Sequence, residues 1–334
     1  MTWFEKLTGF AEESPEQVRT RMTVDGDRMM SAANGRKMVC GRLETPSLGE
    51  LRVLAQAVPT TPGKLDLAEV VGDVQQLHQQ PENEGALFQV ASQFNLLEMV
   101  SPAVTPEAGI GRYEGDRTQG PACAIACGAG TIYRNYFAPV HGQSGQSEGN
   151  QIDCLFDLGT ELGNSNQRLW KMSNGYALAS ASGLQIISER LSSASELERD
   201  RLREKVRIGI QWGTEVTLDD SGRCVTQAYC SALPVAYSRL PAELWDRFAQ
   251  LVLEAAYEAT LCVAVLNLSK YGSHKVFLTL LGGGAFGNSA GWIIAALERA
   301  LRRFDKVPLE VVIVSYGHSN PRIRELISRW SSRL

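Results

Sequence analysis

The sequence is short of the patterns that most directly announce chemistry. Its four histidines, His78, His141, His274 and His318, form no His-Glu-x-x-His and no close pair, so no metal centre is expected. The seven cysteines are Cys40, Cys123, Cys127, Cys154, Cys224, Cys230 and Cys262. Their number is odd and they contain no Cys-x-x-Cys, which argues against a disulfide framework and against thiol redox chemistry. Several stand in apolar runs, as small buried hydrophobes do. A reducing, cytoplasmic compartment is therefore expected. No unbroken run reaches the roughly 20 apolar residues of a membrane span. The opening Met1-Thr-Trp-Phe-Glu-Lys lacks the basic start and apolar stretch of a signal peptide, so neither membrane association nor signal-directed export is expected. The Walker pattern is missing, and the glycine loop at Gly282–Asn288 is not read as a dinucleotide fingerprint. Lys and Arg total 33 against 37 Asp and Glu, a net charge of −4. With no basic run, a nucleic-acid footprint is not expected.

What is present describes a folded domain of ordinary composition. Of 334 residues, 44% are hydrophobic and 21% charged, values that support a core rather than disorder. Residues 1–80 are expected to form a helical N-terminal layer. Ser14-Pro15 and Ser47 with Glu50 read as helix starts, and Leu65–Leu77 as a third helix. Residues 81–334 are expected to form the main domain, with an irregular insertion around 141–207. In it, Ala86–Asn95 starts as a short buried strand and runs into polar residues, Gly120 opens a small-residue helix, and His141–Asn150 reads as a flexible linker. Leu184–Arg207 reads as one charged helix. Ile208–Leu218 and Val225–Leu233 are strands around a turn at Asp219–Gly222. A long helix from Pro241 precedes a strand at Lys275–Leu281, a loop, a helix at Trp292–Phe304 and a strand at Leu309–Ser315. This alternation predicts a mixed, mostly parallel α/β sheet between helices.

The loop Gly282-Gly-Gly-Ala-Phe-Gly-Asn288 carries the strongest chemical signal. It leaves the carboxyl end of a buried strand, where α/β proteins bind ligands. Its glycines allow backbone N–H groups to close around phosphate oxygens ahead of a helix N-terminus. Pro241–Tyr316 resembles the second half of a macrodomain, the ADP-ribose-binding fold. The loop is especially similar to the poly(ADP-ribose) glycohydrolase branch and to the MavL-like branch. The resemblance implies a three-layer macrodomain-like fold and an ADP-ribosyl hydrolase acting on modified protein, or an ADP-ribose-binding module without turnover. ADP-ribose or an ADP-ribosylated protein is the implied partner, and no cofactor is implied. Gly282, Gly283, Gly284, Ala285, Gly287 and Asn288 are the implied diphosphate holders, with Phe286 against the distal ribose. Leu87–Asn95 is similar to the family's Asn-bearing strand, which places Asn95 at that ribose, and Gln119 falls in the stretch replacing the first Gly-rich loop. The family's Gln-Glu-Glu signature and its Asn-Ala-Ala-Asn element are absent here.

Hydrolysis at the ribose carbon passes through an oxocarbenium-like state, which needs an acid, a base or a stabilising carboxylate. Asp116 and Glu98 are the candidates, Asp116 being equally a helix N-terminal cap. Gln89 and Gln227 are polar residues within apolar strands, so each either meets a ligand or is satisfied inside the core. Arg134 either meets phosphate or ties loops together. Glu84, with Glu82 beside it, is the implied acceptor for the adenine amino group, and Tyr316 either stacks on the ligand or packs in the core.

Overall fold

The computed structural model describes residues 1–59 and 61–332. Seven strands build its central sheet: β1 Arg42–Glu44, β2 Asp66–Val71, β3 Leu87–Ala91, β4 Gly209–Glu215, β5 Cys224–Cys230, β6 Lys275–Leu278 and β7 Glu310–Ser315. Their order is β1-β4-β5-β3-β6-β7-β2. The β1/β4 and β4/β5 pairs are antiparallel, and the remaining four pairs are parallel. The fold is thus α/β with a mixed, mostly parallel sheet. β3 lies at its centre and is almost wholly buried, which explains its continuous apolar run. β2 lies at the edge and is partly exposed along its length.

The pleat assigns the two covering layers. Gln89 bonds Thr260 on the Ala242–Tyr271 helix, whereas its neighbour Phe88 stacks on His78 of the Val74–Gln79 helix. Successive strand residues point to opposite faces, so these helices lie on opposite sides. The Ala242–Tyr271 helix meets the length and hydropathy of a membrane span although no unbroken apolar run marks it. However, 83% of its most apolar stretch is buried, as in the core helix of a globular domain. A second core unites Trp3, Phe4, Leu7, Phe10 and four methionines with Ile110, Tyr113 and Tyr136.

Both N-terminal helix starts form as expected, but residues 1–80 are not helical throughout: Met22–Asp25, Arg28–Ser31 and Lys37–Val39 form a three-stranded sheet, and β1 and β2 join the central one. Ser14 caps Pro15–Arg21, and Ser47 with Glu50 makes a capping box ahead of Leu48–Ala57. Three local expectations are corrected. Leu65–Leu77 is not one helix but edge strand β2 followed by a short helix, because all six β2 residues pair with β7. A short apolar run does not distinguish these outcomes. Leu184–Arg207 is two helices, Ala181–Ser193 and Glu196–Arg203, broken where Ser195 makes a capping box with Glu198. His141–Asn150 is no flexible linker. It contains part of a hairpin, Pro139–Val140 with Gln143–Ser144, and the buried Gln146 donates to Asn95 O and Arg134 O.

Candidate active site

A cleft of about 1260 Å³ opens at the carboxyl ends of β3, β5, β6 and β7, reaching Ala91, Ala232, Thr279 and Ser315. The glycine loop forms one wall. Gly282 has φ +73°, and a Cβ there would lie 2.4 Å from Ala232 Cβ, so only glycine fits. Asn288 N–H donates to Gly282 O at 2.9 Å and closes the loop, while Asn288 Nδ2 donates to Leu233 O at 2.8 Å. Gly287, also at positive φ, packs against Ala236 and is not part of the cleft wall formed by Gly282–Phe286 and Asn288. The amide groups of Gly284, Ala285 and Phe286 have no acceptor among the described residues. This wall therefore offers donors to an anion.

Gly287-Asn-Ser-Ala-Gly291 also fits the Gly-x-Ser-x-Gly nucleophile pattern. Ser289 is instead the N-cap of the Ala290–Arg303 helix. Its hydroxyl accepts from Trp292 N–H, and among the described residues no histidine is bonded to it.

Phe286 belongs to an aromatic trio. Its ring centroid lies 5.3 Å from Tyr176 and 5.5 Å from Tyr237, and those two are 5.0 Å apart. All three line the cleft. Sequence reasoning missed Tyr176 and Tyr237 as site residues. Tyr176 is carried by the hairpin Trp170–Ser173/Tyr176–Ala179, whose Asn174-Gly175 turn has positive φ at both positions. Asn-Gly between strands is a legible hairpin signal that placed this tyrosine beyond the turn. Tyr316 stands at the rim, 76% exposed, and so is not core packing. Below it, hydrogen bonds from Ser319, Asn320 and Ser315 to Glu69 outweigh its partial burial and hold its carboxyl below the ordinary range.

Glu98 lines the cleft yet is only 3% exposed. Among the described residues neither carboxylate oxygen has a hydrogen-bond partner. Arg134 Nη2 lies 3.5 Å from Oε1, and the Tyr113 hydroxyl accepts from the Glu98 amide at 3.0 Å. Burial pushes the Glu98 carboxyl up to about 7, against the opposing influence of Arg134 and the Tyr113 hydroxyl. Near neutrality it therefore exists in both protonation states.

Asp116 ends the Gly111–Gly115 turn and is half-buried. One carboxylate oxygen accepts from Thr118 N–H at 2.9 Å, and the residue also lines the cleft. It thus has the cleft position, while its bond to Thr118 closes a turn just ahead of the Gln119–Ala126 helix, whose N-cap is Thr118. Gln119 lines the cleft too, but its polar atoms are engaged. It accepts from Ala91 N–H and donates to Gln89 O, continuing the edge of β3.

Four expected ligand contacts are corrected. Asn95 is fully buried away from the cleft wall. It donates to Gln151 and accepts from Leu97 N–H, so it shapes the turn after β3. Gln89 donates to Thr260 and accepts from Thr279 N–H. Gln227 donates to Cys123 O and accepts from the Tyr229 hydroxyl. Both are satisfied core polarity. Glu84 and Glu82 lie near Lys275 and Glu310, at the amino ends of β6 and β7 and so at the opposite end of the sheet from the cleft. Arg134 is wholly buried, and its role is loop tying rather than phosphate contact. Among the described residues no group of three His, Cys, Asp or Glu side chains could hold a metal ion.

No protein-family model and no curated protein matches the sequence. The structure is similar across most of its length to bacterial poly(ADP-ribose) glycohydrolases. That of Thermomonospora curvata is 14% identical, with 96% of each chain covered and a TM-score of 0.43. A Deinococcus radiodurans glycohydrolase mutant in complex with ADP-ribose is 13% identical, with 85% of this chain and 90% of that one covered and a TM-score of 0.44. The complex of that organism's glycohydrolase with ADP-ribose is 14% identical, covering 88% and 94%, with a TM-score of 0.41.

Proposed function

We propose that this chain binds ADP-ribose in the cleft and hydrolyses the glycosidic bond joining ADP-ribose to a modified protein. Glu98 carries the reading. A carboxyl group buried in a cleft wall, unpartnered at both oxygens and titrating near neutrality, is a general acid in waiting. Opposite it, the Gly284–Phe286 amides would hold the diphosphate, and the Phe286, Tyr176 and Tyr237 rings would pack against ribose or adenine. Tyr316 at the rim has the exposure a stacking residue needs.

In the proposed reaction the bond between the distal ribose C1″ and the acceptor atom breaks. Glu98 gives its proton to the leaving atom, the Asp116 carboxylate steadies the developing positive charge, and water adds at C1″ with loss of its proton to Asp116. A reducing, cytoplasmic setting belongs to the same proposal and suits the seven free cysteines.

The test begins with isothermal titration of ADP-ribose beside AMP, NAD and ATP. Preferential ADP-ribose binding, followed by release of ADP-ribose from mono-ADP-ribosylated protein, is the expected result. Binding without release on any such protein would convert the assignment to a non-catalytic ADP-ribose reader. Absence of ADP-ribose binding would remove both readings.

A further inference from the structure

Arg134 is the buried cation nearest Glu98, and its guanidinium is held from several sides. Nε donates to Leu96 O at 3.0 Å, Nη2 donates to Thr131 Oγ1 at 3.2 Å, and Nη1 donates to the Tyr229 hydroxyl. The Tyr229 ring lies 3.7 Å beneath the guanidinium carbon. Tyr229 in turn donates to Gln227, whose amide nitrogen lies 3.0 Å from His78 Nε2. Burial drives the His78 pKa down to about 4, so this end of the line stays neutral at physiological pH. Leu96, two residues before Glu98, is itself held in the left-handed region at φ +65°. The guanidinium thus grips the turn that presents Glu98 as well as facing its carboxyl group.

A buried Arg–Glu contact does not by its nature stabilise a fold. Desolvation of both charges offsets much of their attraction. This pair is also incomplete, because its 3.5 Å separation leaves both Glu98 oxygens without a hydrogen bond. A pair built for stability would close that gap. A carboxyl group that must trade a proton needs its oxygens free of fixed hydrogen bonds and its position held, and both Glu98 oxygens, though shielded from solvent, are free in that sense.

Resting on the hydrolase reading above, we infer that Arg134 is a positioning residue for Glu98, fixing the carboxyl group in the cleft wall and biasing its proton exchange through a buried positive charge. The other titratable groups around Glu98 are Tyr113 from the Gly111–Gly115 turn, Cys123 from the Gln119–Ala126 helix and Tyr229 from β5. Burial raises all three above their ordinary values, so they stay neutral through pH 5–9, and Arg134 is the charged member of the set.

The test reads Glu98 directly, independent of turnover. In protein carrying carboxyl-labelled glutamate, the Glu98 carbon signal is assigned by its loss in Glu98→Gln and followed by NMR from pH 5 to 9. In Arg134→Met the midpoint should rise by about one unit or more, since an opposite charge within 4–6 Å has been removed. Any alkaline limb of the hydrolysis profile should move up with it. An unchanged midpoint in folded Arg134→Met overturns the inference. If that variant does not fold, Arg134→Gln decides, because its amide can still donate to Leu96 O or Tyr229 while the charge facing Glu98 is gone. A raised midpoint there supports the inference. An unchanged one, or failure of both variants to fold, assigns Arg134 a purely structural role. If ADP-ribose neither binds nor is released while the titration behaves as stated, the hydrolase reading fails and the Arg134–Glu98 coupling stands.

Discussion

Glu98 ties stability to pH in a direction opposite to most acids. Its carboxyl group titrates near 7 when folded, against an ordinary value of 4.5. Between those values the folded chain binds more protons than the unfolded one, so this group's contribution to stability falls as pH rises and levels off above about 7. Glu98→Gln removes that dependence. The variant should gain thermal stability relative to wild type progressively from pH 4.5 to 7 and hold the gain at pH 8, which thermal denaturation across pH measures. A constant difference would mean that folding leaves the Glu98 pKa unraised. The same substitution should lower turnover of ADP-ribosylated protein by about 100-fold or more, because an amide cannot give up the proton, while ADP-ribose affinity survives. Single-turnover assays beside calorimetry separate the two effects.

The glycine loop divides into positions that hold its shape and positions that face the cleft. Gly282 is closed in by Ala232 at positive φ, whereas a Cβ on Gly284 would meet nothing within 4 Å. Gly282→Ala should therefore cost about 1–3 kcal/mol of folding stability through strain and overpacking. Gly284→Trp should leave stability within about 0.5 kcal/mol yet abolish ADP-ribose binding by filling the cleft. Denaturant titration and calorimetry on both variants test the division, and ADP-ribose binding at wild-type affinity by Gly284→Trp would place the ligand elsewhere. The loop was legible because strand, glycines and helix follow one another in the sequence. The Tyr176 hairpin was equally local, marked by Asn174-Gly175. Asn95, Gln89 and Gln227 were not legible, because a polar residue in an apolar strand looks the same whether its partner is a ligand or Thr260, Gln151 or Cys123. Only the facing elements distinguish those cases.

Glu258 joins three helices on one side of the sheet. Buried on the Ala242–Tyr271 helix, it pairs with Arg52 at 2.6 Å, Arg299 at 2.7 Å and Arg303 at 3.1 Å, and Asp200 joins through Arg52 and Arg299. Removing the central anion leaves cations in a partly desolvated pocket, so Glu258→Ala should cost about 3–5 kcal/mol by urea denaturation. A loss below 1 kcal/mol would show that solvent already screens the cluster. Across the chain, contiguous patterns carried the α/β class, the strand–loop–helix of the last third and the cleft-forming glycine loop, since each depends on neighbours in sequence. Tertiary contacts settled the rest. β2 is a strand because β7 offers it an edge, and Glu84 lies at the far end of the sheet because parallel strands put their amino ends there. Glu98 titrates near neutrality because the folded chain buries it, against the opposing influence of Arg134 and Tyr113, and desolvation by distant segments leaves no mark on local sequence.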